Sequence, residues 1–480
     1  MKPFRRQAYD RLRRGRRLAR HFRLSIKYLL YVFVSIFIFC PIYSPSYTNP
    51  AARYTKLVTA CTGPQPKSGC ANPRQAQIFI NAVLDDKYGQ LLGGLYGENL
   101  LKLIHILGEQ NVFLSIYEHG NEADGIVALN DFRKRLACRH ELVHEDHVSL
   151  DNLPTVTMPD GSQRVKRLTY LAKLRNRVMW PLDQFNETVG TFDKVLFLSE
   201  VYYNPIDAAQ LLFSTNALPH DQDQYLAACA VGYCQPAKFC DSYATRDADG
   251  FPPGSEYFPI FAEAGRALSR QDMFHQADAV RVSSCWSGMV AMQAKWLQNL
   301  DTALPRPDFH DVATHAIDPD RPTSVVPPIR FRYEPEVFVD ACEWCLFLAD
   351  VYTVARNAAA PQLGIYMNPY VRITYKPGLL PWVQLMKYWE RALALPQTIV
   401  SWLKRPPASS HHRTVQEGDE FREEIWVPDH TTGKGSWVLK ERTGRNGLFC
   451  WVRMMHLIRR ESWEEGARWG KASIPPGNRQ

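Results

Sequence analysis

Asn111-Val-Phe-Leu-Ser-Ile-Tyr117 is a short apolar run that opens into polar Glu118-His-Gly-Asn121. Apolar at consecutive positions and ending in a polar loop, it has the profile of a parallel strand buried on both faces. The profile returns at Phe192-Asp-Lys-Val-Leu-Phe-Leu198, which stops at Ser199-Glu200. Between the two, Asp124 to Leu136 and Tyr170 to Val178 carry helical spacing, and Asn204-Pro-Ile-Asp207 then starts a helix with Pro in its first turn. Gln75 to Gly108 also reads as helical, broken at Gly93-Gly94. Arg281 to Met292 reads as strand and turn running into a helix, and Gly364 to Tyr375 as another strand. Strands alternating with helices predict an α/β fold with a mostly parallel central sheet.

The chain has 480 residues, of which 45% are hydrophobic and 22% charged, the balance of a folded protein. Its net charge of +8 is local. Up to Lys27 there are 11 Lys and Arg against Asp10, so the remainder holds 46 basic and 48 acidic residues. A basic nucleic-acid-binding body is therefore disfavoured. After the basic tail, Tyr28 to Tyr43 is apolar, and no charge follows Lys27 until Arg53. Such a run predicts a single transmembrane helix, and the positive-inside rule keeps the tail cytosolic and the body lumenal. A cleaved signal peptide is the rival, but the basic region is long for one and no small-residue cleavage site follows Tyr43.

The expected organisation is a basic tail (1–27), an anchor (28–48), a stem and helical lead-in (49–108), a catalytic domain (109–403) and a C-terminal segment packed on it (404–480). Leu304 to Pro328 reads as a long Pro-rich loop. Ten cysteines lie beyond Cys40 of the anchor, and an oxidising lumen permits disulfides, with Cys61 and Cys70 the most plausible pair. Cys342-Glu-Trp-Cys345 is a lone CxxC whose apolar setting suggests packing. Asn186-Glu-Thr188 is the one glycosylation sequon.

Ligands of open α/β sheets bind beyond the carboxyl ends of the strands, which singles out Ser115–Asn121 and Ser199-Glu200. Glu200 either holds a divalent metal on a diphosphate or faces solvent in a strand-to-helix loop. Asp247-Ala-Asp249 is a hard-oxygen metal pattern and also a common turn. Arg175 and Arg177 can clamp a phosphate or form a solvated helical face. Asp340 and Glu343, at i and i+3, are expected on one helical face, to orient an acceptor or to cap the helix. Nucleophile-elbow, phosphate-loop and zinc-protease motifs are lacking in the sequence.

Longer stretches carry a resemblance. They are Val112-Phe-Leu-Ser-Ile-Tyr-Glu118, Tyr170-Leu-Ala-Lys-Leu-Arg-Asn-Arg177, Phe192 to Val201 and Ala227-Ala-Cys-Ala230. They continue through Lys238-Phe-Cys-Asp-Ser-Tyr-Ala-Thr-Arg-Asp247, Asp278 to Ala291, Cys342-Glu-Trp-Cys345, Asn368-Pro-Tyr-Val-Arg372 and Gly447-Leu-Phe-Cys450. In order and content the chain resembles the fungal α-1,3-mannosyltransferase and capsule-associated protein family, glycosyltransferase family 69. The resemblance implies a type II single-pass Golgi membrane enzyme with a lumenal GT-A-like, nucleotide-sugar-binding fold. It further implies GDP-mannose as donor, Mn2+ (or Mg2+) as cofactor, a mannose-containing glycan as acceptor, and retention at the anomeric carbon.

Carried over by position, Ser115 and Glu118 would line the nucleotide pocket and Arg175 would face the diphosphate. Ser287 and Gly288 would sit beside donor sugar and acceptor. Glu200, in place of the family's Asp, would hold the metal with Asp247 and Asp249, and Glu343 with Asp340 would serve the acceptor. Two departures stand out: Val231-Gly232 where an acid is expected after Ala230, and Met292-Gln293 where Asp is expected after Ala291. They leave an alternative open, a catalytically impaired member that binds glycans or supports polysaccharide assembly and export.

Overall fold

The computed structural model describes residues 3–63, 66–120, 123–145, 150–184, 190–217, 225–298, 325–358, 360, 363–403, 409–429, 435–459 and 469–475. Most of the Leu304–Pro328 stretch and the sequon at Asn186 lie outside the described residues.

A ten-stranded sheet forms the core. Across it the strands run Arg139–His144, Val112–Glu118, Ile78–Leu84, Lys194–Leu198, Met289–Gln293, Tyr225–Gln235, Gly364–Thr374, Val280–Ser284 and Arg246–Asp247, with Lys238–Phe239 paired to Tyr225–Gln235. The first four are mutually parallel, and so are Tyr225–Gln235 and Gly364–Thr374. Following the pairings across the sheet, only Met289–Gln293, Val280–Ser284 and Lys238–Phe239 run against the common direction. The expected α/β fold with a mostly parallel sheet is what forms.

Val112–Glu118 and Lys194–Leu198 are buried at every residue, as strands covered on both faces must be. Helices Leu95–Leu107 and Pro205–Phe213 pack into the apolar cluster that includes Ile80, Leu114, Leu196 and Ala228. Helices Arg167–Val178 and Glu343–Asn357 pack into the cluster of alternate residues, Phe79, Phe113, Phe197 and Cys229. The alternation follows from the period of two in a strand. At Pro205 the helix starts as anticipated, with the Asn204 side chain accepting the Ile206 amide at 2.9 Å.

Three local expectations are corrected. Gln75–Gly108 is not one broken helix, because Ile78–Leu84 is a central strand and only Leu95–Leu107 is helical. Its sequence, Ile-Phe-Ile-Asn-Ala-Val-Leu, is buried on both faces and so lacks the alternation that would mark it as a strand. Arg281–Met292 gives two strands joined by a turn, followed by a single 3-10 turn at Ala294–Trp296 rather than a helix. The stretch after the anchor is not a free stem either. Helix Ala52–Cys61 docks through Tyr54, which donates to Asp278 at 3.0 Å and accepts from Asn368 at 2.7 Å.

Disulfides tie remote segments together: Cys61–Cys70, Cys229–Cys285, Cys234–Cys240 and Cys345–Cys450. Cys342 stays a buried free thiol beside Cys345. The Cys345–Cys450 bond joins the helix Glu343–Asn357 to the C-terminal segment across 105 residues. Closing so long a loop removes much chain entropy from the unfolded state. Cys345→Ser and Cys450→Ser should each lower stability by about 2–4 kcal/mol in denaturant titrations. The double variant should cost no more than either single one, since all three lose the same bond.

Candidate active site at the carboxyl ends of the strands

The parallel strands deliver Asp85-Asp86, Glu118 and Ser199-Glu200 to one edge of the sheet. Most of these carboxylates are committed to backbone. Asp86 accepts the amides of Leu91 and Leu92 at 3.0 and 2.9 Å. Glu118 is fully buried, accepts from the amides of Gly120 (2.7 Å) and Asp86 (3.3 Å), and pairs with His144. Expected to line a nucleotide pocket, it instead holds the loops of two strands together. Ser115 lies deeper still, its hydroxyl donating to the Val178 carbonyl at 2.7 Å. It is three residues short of the strand end and buried, so it knits strand to helix. Glu200 does stand at the edge, accepting the Asp85 amide at 2.6 Å.

Across this edge the chain brings together Arg175, Asp241, Trp286, Ser287, Glu343 and Tyr375. Arg175, in the last turn of its helix, accepts nothing and donates from Nε to Glu343 Oε1 at 3.0 Å. Its guanidinium lies 4.7 Å from the centre of the Trp286 ring, which stacks at 4.0 Å on Trp344. No hydrogen bond from its terminal nitrogens occurs among the described residues, which leaves the fork open to an anion. Glu343 is buried, with Oε2 near the Cys342 thiol at 3.6 Å and Oε1 on Arg175, which it orients.

Asp241 was not among the anticipated site residues. Its Oδ1 accepts the Tyr375 hydroxyl at 2.7 Å, and its buried Oδ2 faces the buried Ser287 hydroxyl. Burial pushes the Asp241 carboxyl up to about 7, against the lowering pull of the Tyr375 and Ser287 hydroxyls. Burial, followed by the Asp241 charge, raises Tyr375 and keeps it a donor. Two disulfides hold these groups: Cys234–Cys240 immediately precedes Asp241, and Cys229–Cys285 immediately precedes Trp286. The motif containing Asp241 was visible in the sequence, but nothing local distinguishes that Asp from any other loop carboxylate.

Gly232 explains one departure. A Cβ there would lie 2.6 Å from Asp241 Oδ2 and 3.0 Å from Ser287 Cβ, so the carboxylate of residue 241 fills the space that a side chain at 232 would take. Gln293 explains the other. It pairs with Lys194 at the start of a strand whose far end leads to Glu200, so it sits at the opposite edge of the sheet. Gly288, at φ +91°, turns the chain where a Cβ would meet Val201 at 2.5 Å, and Ser199 donates to its carbonyl at 2.8 Å.

The remaining expectations separate. Asp247 lies on the far edge strand, five strand positions from Lys194–Leu198 and so roughly 24 Å at about 4.8 Å each. Its Oδ1 accepts the amides of Asp249 and Phe251 at 2.9 and 2.8 Å, a turn stabilised by its own side chain, and burial raises its carboxyl to about 6. Asp249 pairs with Arg266 at 2.5 Å. Glu200 therefore does not share a metal site with Asp247 and Asp249, and no group of three metal-ligating residues occurs among the described residues. Asp340 is not on the helix with Glu343. It is extended, pairs in a two-stranded sheet with Val452, and is buried between Lys166 at 3.3 Å and His456 at 3.2 Å. Arg177 faces Glu141 and Glu145 at 3.6 and 3.7 Å.

The family model described as cryptococcal mannosyltransferase 1 matches residues 77–350, more than half of the chain. The chain belongs to that family. The matched stretch begins one residue before the first central strand and holds Arg175, Glu200, Asp241, Ser287 and Glu343. Among solved structures, mannosyl-3-phosphoglycerate synthase from Rubrobacter xylanophilus is similar at 10% identity and TM-score 0.28, over 84% of this chain and 92% of that one. The mannosyltransferase PcManGT from Pyrobaculum calidifontis, in complex with GDP-Man and Mn2+, is similar at 11% identity and TM-score 0.25, over 78% and 84%. Comparison with curated proteins gave no match.

The Gly232–Asp241 approach makes a direct prediction. Gly232→Ala must displace Asp241 or Ser287, and overpacking of this kind costs about 1–3 kcal/mol. Gly232→Ala combined with Asp241→Ala should recover part of that loss, giving a coupling of about 0.5–3 kcal/mol in a double-mutant cycle. Strict additivity would place the two residues apart.

Proposed function

We propose that this mannosyltransferase moves mannose from GDP-mannose to a mannose-containing glycan, in α-1,3 linkage and with retention. The observation that carries the reading is the cluster at the strand ends: an open guanidinium over a tryptophan, together with a carboxyl that burial has pushed up to about 7. Arg175 would bind the donor diphosphate bidentately, held in place by Glu343. Trp286 offers a ring face to a sugar, and Asp241 with Tyr375 and Ser287 would hold the hydroxyls of donor or acceptor. A carboxyl titrating near neutrality can take up the acceptor proton as the new bond forms, provided it is ionised at that moment.

Mn2+ or Mg2+ would supply charge neutralisation on the departing diphosphate. The trio of Glu200, Asp247 and Asp249 does not converge, so no step here is routed through it. Of the three, Glu200 alone stands at the strand ends. The position of Gln293 and the crowding of Gly232 by Asp241 favour transfer over the glycan-binding alternative, because a carboxyl is present where the departures suggested one was lost. A type II Golgi topology belongs to the same proposal, with a catalytic domain that takes in Ile78–Leu84 rather than starting at 109, because that strand lies in the middle of its sheet.

Purified full chain should transfer mannose from GDP-mannose in a nucleotide-sugar panel. Arg175→Ala should raise KM for GDP-mannose at least about tenfold, and Asp241→Asn should lower kcat by about 10²–10⁴. The sign of the pH effect follows from the ionised form. Activity of the parent should rise with pH through about 7, where the folded-state carboxyl loses its proton, and the Asn variant should lose that limb. An unchanged pH profile in Asp241→Asn would remove the residue from the chemistry. Failure of transfer with every donor, with glycan binding intact, would favour the assembly reading.

Topology has its own test. Asn186 should carry glycan in a eukaryotic host, seen as a glycosidase-sensitive mobility shift lost in Asn186→Gln. A protease-accessible body in intact microsomes would reverse the orientation.

A further inference from the structure

Among the described residues, helix Leu24–Tyr43 alone is long and apolar enough to cross a membrane. A second apolar surface lies beside it. Trp389 donates from Nε1 to the Phe37 carbonyl at 3.0 Å, and the two rings stack at 5.3 Å with planes 20° apart. Phe37 precedes Tyr43 by six residues, so at 1.5 Å per residue the contact lies roughly 9 Å inside the end of that helix. Trp389 sits between two short helices, Leu380–Met386 and Ala394–Leu403.

In the second of these, Leu395, Ile399, Trp402 and Leu403 recur at i, i+4, i+7 and i+8 and so share one face. That face is bare, with Leu395 71% and Trp402 83% exposed. The other side is fixed to the body. Buried Arg270 donates to Gln397 Oε1 at 2.9 Å and to Thr398 Oγ1 at 2.7 Å, which sets the helix's rotation. Trp382 continues the exposed apolar surface on the first helix. An apolar stripe of this size, clamped outward, would be costly in water and needs a cover.

We propose that the cover is the membrane itself: Leu380–Leu403 lies along the surface of the bilayer that Leu24–Tyr43 crosses, with Leu395, Ile399 and Trp402 seated at the headgroup–acyl boundary. The inference rests on the reading of Leu24–Tyr43 as a membrane span. Its argument is continuity, because the Trp389–Phe37 contact places the pair of helices at the depth where interfacial helices bury their apolar faces, about 5–10 Å. Tryptophan enrichment suits that boundary, where an amphipathic ring meets both phases. The consequence is that the catalytic body is held against the membrane by two attachments, a span and a parallel helix, rather than swinging on a stem.

The test uses full chain reconstituted in phosphatidylcholine vesicles, with a polarity-sensitive fluorophore on one cysteine at a time. Native Cys40 reports on the span, since Cys138 and Cys342 are buried. In a Cys40→Ser background, Leu395→Cys and Trp402→Cys report on the helix, and Asp131→Cys, on an exposed surface, reports on water. Labels at 395 and 402 should emit at shorter wavelength than at 131. They should be quenched at least twofold more by lipids spin-labelled high in the acyl chain, and less by aqueous iodide. Label at 40 quenched by lipid while 395 and 402 behave like 131 would overturn the proposal and leave the span intact. A short-wavelength emission at 395 and 402 that lipid does not quench, and that fades on dilution of protein in the vesicles, would overturn it in favour of a second copy covering the face. Label at 40 unquenched by lipid would overturn the span and the proposal together.

Discussion

The space above the strand Tyr225–Gln235 has room for one carboxylate, and Asp241 holds it only because residue 232 has no side chain. Much of the candidate site depends on that close approach. A Cβ at 232 would press both on Asp241 and on Ser287, whose side-chain oxygens are buried against each other. The disulfides on either side, Cys234–Cys240 and Cys229–Cys285, prevent the loops from relaxing away from each other.

Around this site most of the neighbouring carboxylates are spent on architecture. Glu118 and Asp86 accept backbone amides, and Glu343 is given over to Arg175. Burying such charges is tolerated because each gains donors within hydrogen-bond reach. The same rule organises the C-terminal segment, which is joined to the body by Lys166–Asp340–His456 and by Arg445–Glu334 at 2.7 Å. Pairs of this kind set position more than they add stability, since desolvation offsets much of the attraction. Their effect is to hold the helix Glu343–Asn357 at a fixed height over the sheet, and with it the aromatic floor of Trp344 under Trp286.

The segments beside the apolar helix Leu24–Tyr43 obey a different constraint. Helix Ala52–Cys61 docks through Tyr54 and Arg53 onto Asp278, and helix Ala394–Leu403 docks through Arg270. The polar contacts face the body, and the large apolar side chains are what remains outside. A body joined to the helix Leu24–Tyr43 by such packing has a defined orientation relative to that helix.

How much was legible depends on how local each signal is. The apolar helix Leu24–Tyr43, the buried strands Val112–Glu118 and Lys194–Leu198, the Asn204-capped helix and the Cys61–Cys70 pair are written in runs of 20 residues or fewer, so the sequence determined them. The motifs shared along the chain determined the family in the same way. Strand Ile78–Leu84 escaped because burial on both faces erases the period that separates strand from helix. Strand Tyr225–Gln235 passed unmarked as a strand because its Ala-rich core has little β-propensity, and only its neighbours make it one. The site was the least legible part. Arg175 was anticipated, but its partners Glu343 and Trp286 lie more than 100 residues away in sequence. Asp340 and Asp247 looked as chemical as Asp241, and only the tertiary structure decided which of the three carboxylates would join Arg175 and Trp286 at the strand ends. A carboxylate's role is set by what surrounds it, and that is fixed by contacts between residues remote in the chain.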